Sequence, residues 1–307
     1  MFCKSCGEEI KKRTVFCKNC GEKVTSFDLK VVQKKKTASR FRKIIVLIIG
    51  VILIGSILFV ILRLLFNKIS TNGLISLDSK TQEMIASSVV NIFCPSMRPE
   101  EEISGGSGTI LTEDGMILTN SHIIPQDETN IFVDEMGCMV VLPDSITGQP
   151  DEVFLAHPIV IPGISDTYDL AYMQIYSAFY DEEEKKYTGT YPRTFPAFDD
   201  TTRCSNENIR LGEPVRIFGY PAISGGYSLT ITDGVVSSFP GEGLIVTSAK
   251  ISYGNSGGLA IDRDGCMIGV PSMVSSDENE SLGVIISSYL INSFSDEVNT
   301  YRESLEN

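Results

Sequence analysis

The sequence predicts a mainly β domain of two antiparallel barrels, preceded by a small cysteine-rich domain and a single transmembrane helix. Three observations lead to this prediction. Alternating, β-branched runs recur between residues 85 and 292, nineteen consecutive residues upstream carry no charge, and two Cys-x-x-Cys-Gly units lie at the N-terminus. The segments are 1–26 cysteine-rich, 27–43 basic linker, 44–66 membrane helix, 67–84 spacer, 85–292 barrel domain and 293–307 C-terminal tail.

The N-terminal segment contains the Cys-x-x-Cys-Gly unit twice, with its four cysteines at Cys3, Cys6, Cys17 and Cys20. Four thiolates can surround Zn²⁺ tetrahedrally, and a glycine after each pair allows a tight turn whose amides point at sulfur. The pattern resembles the small zinc-ribbon domains at the N-termini of bacterial membrane proteins, so we expect a structural zinc ion. Two disulfides are the alternative, which a reducing cytoplasm disfavours.

Residues 44–62 are nineteen residues without a charge, almost all Ile, Leu, Val or Phe. At about 1.5 Å per residue, such a helix measures about 28 Å, close to the ~30 Å hydrocarbon core of a bilayer. A cleaved signal peptide is the competing interpretation, but its apolar part is usually about 7–15 residues long and lies close to the N-terminus. We therefore predict a transmembrane helix over residues 44–66, with the lipid bilayer as its partner.

Charge is divided unequally along the chain. Residues 1–43 hold 13 Lys or Arg against 4 Asp or Glu, whereas residues 69–307 hold 11 against 35. By the positive-inside rule, this predicts a single-pass cell-membrane protein with a cytoplasmic N-terminus and an extracytoplasmic barrel domain. The acidic surface serves solubility or steers basic substrates, and the sequence leaves both open. The ribbon offers little surface for nucleic acid, so we expect a cytoplasmic protein partner or a purely structural role.

The barrel domain is predicted from runs with the length and β-branching of strands. Such runs are residues 89–93, 116–119, 215–218 and 245–248. Turn signals at Glu113-Asp114-Gly115 and at Asp262-Arg263-Asp264-Gly265 suit antiparallel connections. Residues 180–201, which include a run of acidic residues, are predicted to form the exposed connection between the two barrels.

Three short strings place reactive side chains in the barrel domain. They are Thr119-Asn120-Ser121-His122, Tyr168-Asp169-Leu170-Ala171 and Gly254-Asn255-Ser256-Gly257-Gly258. A serine hydroxyl is a poor nucleophile at neutral pH, so an imidazole must take its proton and a carboxylate must orient that imidazole. Ser256 is the candidate nucleophile, His122 the base and Asp169 the orienting group. Because glycine can turn amides inward, the N–H groups of Gly254 and Ser256 are the candidate oxyanion hole.

At these strings the chain resembles the trypsin-like serine proteases, specifically the bacterial HtrA/Deg branch. Further matching motifs include Gly106-Ser107-Gly108-Thr109-Ile110, Leu211-Gly212-Glu213-Pro214-Val215 and Thr232-Asp233-Gly234-Val235-Val236-Ser237. The resemblance implies two six-stranded barrels and a serine endopeptidase without a catalytic cofactor, acting on protein or peptide substrates. By analogy it implies quality control or processing of extracytoplasmic proteins. We expect no PDZ domain, because the chain ends soon after the last protease strand.

The competing hypothesis is a catalytically silent trypsin-like domain that acts as a sensor or scaffold coupled to the zinc ribbon. Lys250 occupies the family position at the base of the primary specificity pocket. It points inward and repels basic side chains, or points to solvent and leaves Ile285 and Ile286 as an apolar wall. In either orientation, the resemblance implies cleavage after small or medium apolar residues. The second histidine, His157, has no motif around it and is interpreted as structural.

Four more cysteines lie in the barrel domain, Cys94 and Cys138 in the first barrel and Cys204 and Cys266 in the second. Four cysteines allow three connectivities, and pairing within each barrel joins the residues expected to lie nearest each other. Buried free thiols are the alternative. The sequence carries no signal for the oligomeric state.

Overall fold

The computed structural model describes residues 2–11, 14–24, 49–61, 75, 77–95, 103–125, 137–198, 209–272 and 282–306. The chain divides into two compact units, Met1–Ser70 and Thr71–Asn307. The sequence boundaries of the two units agree with the change from basic to acidic composition, because the first unit holds the basic N-terminal residues and the second holds most of the carboxylates.

In the first unit the repeated cysteine element folds twice into the same turn. The bridged pairs are Phe2–Glu9 and Phe16–Lys23. Gly7 and Gly21 each have a φ of 73°, which glycine adopts without a steric penalty. Their N–H groups donate to the carbonyls of Cys3 and Cys17 at 2.9 Å. The sequence repeat is therefore a repeat of structure.

Residues 49–61 of the first unit are helical. All of the large apolar side chains in this helix are exposed, from Ile49 at 51% to Ile61 at 48%. The rest of the predicted span 44–66, like the basic segment 27–43, lies outside the described residues. Within the described ranges, no helix combines the length and the apolar character needed to cross a bilayer.

The second unit begins with a closed antiparallel barrel. Its strands are β1 (Val89–Pro95), β2 (Ile103–Ile110), β3 (Met116–Thr119), β4 (Cys138–Pro143), β5 (Pro150–Ile159) and β6 (Ala171–Ala178). They close in the order β1-β2-β3-β6-β5-β4. Alternate residues of a strand share a face, so Val90, Ile92 and Cys94 of β1 all enter the core.

A two-stranded hairpin, β7 (Tyr180–Asp181) and β8 (Lys186–Tyr187), lies in the predicted connection between the barrels. The second barrel consists of β9 (Pro214–Gly219), β10 (Thr230–Gly241), β11 (Leu244–Thr247), β12 (Leu259–Ile261), β13 (Met267–Ser272) and β14 (Gly283–Ser287). It closes in the order β10-β11-β14-β13-β12-β9. The prediction of a mainly β domain with two six-stranded antiparallel barrels is confirmed.

Three helices flank the barrels in the described part of the second unit: α1 (Ser79–Ser88), α2 (Ile164–Tyr168) and α3 (Ser288–Glu306). The predicted boundary between domain and tail at residue 292 falls inside α3. Residues 293–306 continue this helix rather than forming a tail, because Ile291, Phe294 and Val298 are spaced as one helical face and are buried in the core.

Cys94 and Cys138 form a disulfide that joins β1 to β4, so the predicted pairing within the first barrel is confirmed. Cys266 is also disulfide-bonded, and its predicted partner Cys204 lies outside the described residues. The four N-terminal cysteines, by contrast, are free. The two units therefore differ in cysteine chemistry.

Candidate active site

The predicted base and its orienting carboxylate are in direct contact. His122 lies in a single 3-10 turn, Ser121–Ile123, after β3, and Asp169 directly follows α2. His122 Nδ1 lies 2.8 Å from Asp169 Oδ1 and 2.9 Å from Oδ2. A proton on Nδ1 that is shared with a carboxylate leaves Nε2 as the acceptor. The contact therefore favours the tautomer that a general base needs.

Three further side chains donate hydrogen bonds to the Asp169 carboxylate. Ser272 Oγ donates to Oδ2 at 2.9 Å, Ser121 Oγ donates to Oδ1 at 3.2 Å, and Asn120 Nδ2 donates to Oδ2 at 3.2 Å. The backbone N–H of His122 donates to Oδ1 at 3.2 Å. Hydrogen bonds to an ionised acceptor are stronger than neutral ones, so together these donors hold the Asp169 side chain in one rotamer.

Asp169 has a left-handed backbone, with a φ of 52°. This region is sparsely populated by residues with a Cβ and persists where the surroundings fix it. Asn120 supplies one such constraint, because its Nδ2 also donates to the Asp169 carbonyl at 2.8 Å. Asn120, which lies within the histidine motif, thus holds both the backbone and the side chain of the aspartate.

Ser256 lies in a turn whose glycine positions leave no room for a Cβ. Gly254 has a φ of 94° and Gly257 a φ of 85°. A Cβ on Gly254 would lie 2.1 Å from the Tyr220 carbonyl, and one on Gly257 would lie 2.1 Å from the Ser107 carbonyl. Within the described ranges the Gly254 N–H has no hydrogen-bond acceptor, as a donor reserved for an oxyanion requires.

Strand β2 of the first barrel holds the Ser256 turn of the second. Ser107 N–H donates to the Ser256 carbonyl at 2.8 Å, and Ser107 Oγ donates to the Gly254 carbonyl at 2.6 Å. A Cβ on the adjacent Gly106 would lie 2.9 Å from Ile123 and 3.1 Å from the Ser256 carbonyl. The turn that carries the histidine and the turn that carries the serine therefore adjoin the same glycine.

Sequence analysis did not identify Ser107 or Ser272 as site residues. Ser107 lies in the Gly106–Ile110 motif, which matches the protease family, so the sequence did indicate that this position matters. Ser272 ends β13 and lies 103 residues from Asp169 along the chain. No local pattern marks it, because its role arises only when β13 closes the second barrel.

Lys250 has one of the two orientations that the sequence left open. Its side chain is exposed, and its carbonyl accepts a hydrogen bond from Thr232 Oγ1 at 2.9 Å. Ile285 and Ile286 are buried at 0% and 4%. The lysine therefore lies toward solvent, which weakens any direct repulsion of a bound side chain.

The four N-terminal cysteines converge, and their sulfur atoms all lie within 4.8 Å of one another. The Sγ atoms of Cys3 and Cys20 are 3.4 Å apart, and those of Cys6 and Cys17 are 3.7 Å apart. A Zn–S bond of ~2.3 Å in a tetrahedron gives sulfur atoms about 3.8 Å apart. Hydrogen bonds from the backbone of Cys20 and Asn19 lower the pKa of Cys17 to about 7. These four cysteines could hold a metal ion.

Comparison with known proteins agrees with this geometry. Residues 106–270, more than half of the chain, match the family described as the trypsin-like peptidase domain. A probable periplasmic serine endoprotease, DegP-like, of Brucella suis is 27% identical over 192 residues, which cover 60% of this chain and 30% of the relative.

Two animal proteins are similar over the same region. The mitochondrial serine protease HTRA2 of Bos taurus is 30% identical over 187 residues, 57% of this chain and 32% of the relative. Serine protease HTRA1 of Xenopus tropicalis is 29% identical over 208 residues, which cover 62% of this chain and 37% of the relative. The chain thus matches about one third of the length of these relatives. It belongs to the trypsin-like peptidase family, and its peptidase domain is of the serine endopeptidase class, similar to the HtrA and DegP proteases.

Proposed function

We propose that this chain is a membrane-anchored serine endopeptidase that hydrolyses peptide bonds of extracytoplasmic proteins, with a role in protein processing or quality control. The observation that carries the proposal is the His122–Asp169 pair, in which Nδ1 lies 2.8 Å from the carboxylate. A histidine that only fills a core needs no carboxylate to orient it. A general base does need one, and here three side chains donate hydrogen bonds to that carboxylate. His122 also keeps 45% of its side chain exposed, so a substrate can reach it.

The chemistry follows the roles of these groups. Ser256 Oγ attacks the carbonyl carbon of the peptide bond as His122 Nε2 takes the hydroxyl proton, and Asp169 stabilises the resulting imidazolium. The N–H groups of Gly254 and Ser256 bind the oxyanion. When the C–N bond breaks, His122 returns the proton to the leaving amine, and an acyl-enzyme remains. Water then attacks the acyl-enzyme with His122 as the base, which releases the acid and restores Ser256.

Cysteine chemistry supports the proposed topology. The cysteines before the apolar stretch are free, whereas Cys94 and Cys138 after it form a disulfide. Thiols persist in a reducing cytoplasm, and disulfides persist outside it. The exposed apolar helix over residues 49–61 has the surface expected of a segment in lipid. We therefore place the N-terminus in the cytoplasm and the peptidase domain outside, anchored through residues 44–66.

The ribbon cysteines Cys3, Cys6, Cys17 and Cys20 fit Zn²⁺ by number, softness and separation, and the ion would supply folding energy rather than catalysis. The two Cys-x-x-Cys-Gly units are only half buried, and the core they form is too small to fold without a metal ion. We propose a zinc ribbon whose partner, if any, is a cytoplasmic protein. Metal analysis of the purified full-length chain should give about one zinc per chain, and Cys6→Ser with Cys20→Ser should lose it, whereas Ser5→Ala should retain it. A chain that folds and binds no zinc would contradict this proposal.

The peptidase proposal is tested with the full-length chain in detergent. We expect a fluorophosphonate to label the wild type and Ser252→Ala, a serine of the same turn, but not Ser256→Ala. Hydrolysis of unfolded casein should fall about 10⁶-fold in Ser256→Ala. In intact spheroplasts a membrane-impermeant fluorophosphonate should label the chain from outside. A wild type that is folded, unlabelled and inactive would favour the silent sensor or scaffold, and labelling only after lysis would contradict the topology.

A further inference from the structure

The residues on both sides of Asp169 contact one face of the C-terminal helix α3. Tyr168 OH donates to Glu297 Oε1 at 2.7 Å, and the hydroxyls of Tyr172 and Ser295 lie 2.7 Å apart. Phe294 lies between the two tyrosines, with ring centroids 5.9 Å from Tyr168 and 5.1 Å from Tyr172. Three positions within about one turn of α3, at residues 294, 295 and 297, are thus connected to residues 168–172, which we call the aspartate loop.

The backbone conformation of Asp169 depends more than most on contacts with other segments of the chain. Its φ of 52° is unfavourable for a residue with a Cβ, and α2, which precedes it, is only five residues long. A short helix contributes little stability by itself. Leu170, on the other side of Asp169, is fully buried in the same core cluster as Phe294 and Val298. The position of the aspartate loop therefore depends on α3.

We propose that α3 is a positioning element of the active site, in which Phe294 and the Tyr168–Glu297 hydrogen bond hold Asp169 at the distance from His122 that general-base catalysis needs. Tyr168 and Glu297 are then positioning residues, because they act on the reaction through Asp169 and not on the reacting atoms. The inference rests on the proposed catalytic role of Asp169. It gives residues 293–306 a function in hydrolysis.

The charge of Glu297 suits this role. A hydrogen bond to a carboxylate is stronger than one between neutral groups, and Glu297 raises the pKa of Tyr168 above its ordinary value. The tyrosine hydroxyl therefore remains a donor at any pH at which the enzyme would work. Glu297 itself is exposed, so its replacement leaves no buried polar group without a partner.

The test compares full-length variants that remove the hydrogen bond without removing the rings. Tyr168→Phe and Glu297→Ala should lower kcat about 3- to 10-fold with KM changed less than about twofold, since small displacements of a catalytic group lower the chemical step. Glu297→Gln keeps an acceptor and should retain at least about half of the wild-type kcat. Thr300→Ala removes only a bond within α3, from Thr300 Oγ1 to the Asp296 carbonyl, and should match the wild type.

A second measurement separates positioning from stability and from the proposed function. The low-field proton resonance of the His122–Asp169 hydrogen bond should move in Tyr168→Phe and Glu297→Ala while the Tm of both variants stays close to that of Thr300→Ala. A wild type that shows this resonance but no hydrolysis would refute the proposed function, and movement of the resonance in Tyr168→Phe would still support the positioning role. An unchanged resonance with kcat within about twofold of the wild type in Tyr168→Phe would overturn the inference.

Discussion

His122 and Asp169 come from the first barrel and are held through side-chain hydrogen bonds, whereas Ser256 comes from the second barrel and is held through its backbone. Three side chains donate to the Asp169 carboxylate. The Ser256 turn is instead shaped by glycines at positive φ and by bonds to its backbone carbonyls, from Ser107 N–H to Ser256 and from Ser107 Oγ to Gly254. One half of the site thus depends on the identity of its polar groups, and the other depends on the absence of Cβ atoms.

This difference predicts which substitutions each half of the site tolerates. An isosteric change of polarity should damage the first-barrel half and leave the shape of its loops unchanged. A single added methyl group should damage the second-barrel half, although no charge changes. Matched variants in the two halves can therefore test whether the comparison holds.

Among these matched variants, the largest effect is expected for Asp169→Asn in the first-barrel half. An amide at this position favours the wrong histidine tautomer, and kcat should fall about 10⁴-fold with little change in shape. The control is Asp151→Asn, which removes the same charge from the exposed start of β5 and should leave kcat unchanged. The measurement is steady-state hydrolysis of a peptide substrate, together with Tm. A loss below about tenfold would show that Asp169 does not orient the base.

Gly254→Ala should have the next largest effect, in the second-barrel half. The new Cβ would lie 2.1 Å from the Tyr220 carbonyl, so the peptide must rotate and its N–H leaves the oxyanion hole. Loss of one such donor lowers kcat about 10²- to 10³-fold. Gly212→Ala is the matched control, because Gly212 also has a positive φ, 82°, but nothing lies within 4 Å of its Cβ position. An equal loss of kcat in the two variants would mean that backbone strain, rather than the clash with the Tyr220 carbonyl, is responsible.

Ser272→Ala probes the first-barrel half through a residue of the second barrel. It removes a 2.9 Å hydrogen bond to Asp169 Oδ2 while the other donors remain. We expect kcat to fall about tenfold, which is the loss of one hydrogen bond to a charged group. Ser293→Ala serves as the control, because this half-buried serine of α3 bonds within its own helix, to the Tyr289 carbonyl. A variant with unchanged kcat would show that the remaining donors are sufficient.

The sequence predicted the parts of this site that are encoded locally. His122, Asp169 and Ser256 each lie in a short string whose neighbours also have a role, such as Asn120 beside the histidine. The pairing of Cys94 with Cys138 was also predictable, because two cysteines in one barrel lie close together. The barrels themselves followed from strand-length runs and turn residues.

Contacts between distant segments could not be predicted in this way. Ser272 reaches Asp169 only after the second barrel closes. The role of α3 was missed because Ile291, Phe294 and Val298 are isolated apolar residues in an otherwise polar segment, and their burial depends on a surface that two barrels create. Periodicity could have indicated the helix, but not its contact with the aspartate loop.

The smallest effect is expected for Lys250→Ala, a side-chain change in the half of the site that depends on backbone. The Lys250 side chain is exposed, and at physiological ionic strength a solvated charge is screened within about 8 Å. We therefore expect kcat/KM for cleavage after apolar residues to change less than about threefold. A peptide library compares this variant with Lys80→Ala, which removes an exposed lysine from α1. If the lysine does face a bound side chain, its removal should instead raise cleavage after Lys or Arg more than about tenfold, because a repulsion between desolvated like charges would be relieved. That result would make the second-barrel half dependent on the charge of one of its own side chains and would break the distinction between the two halves.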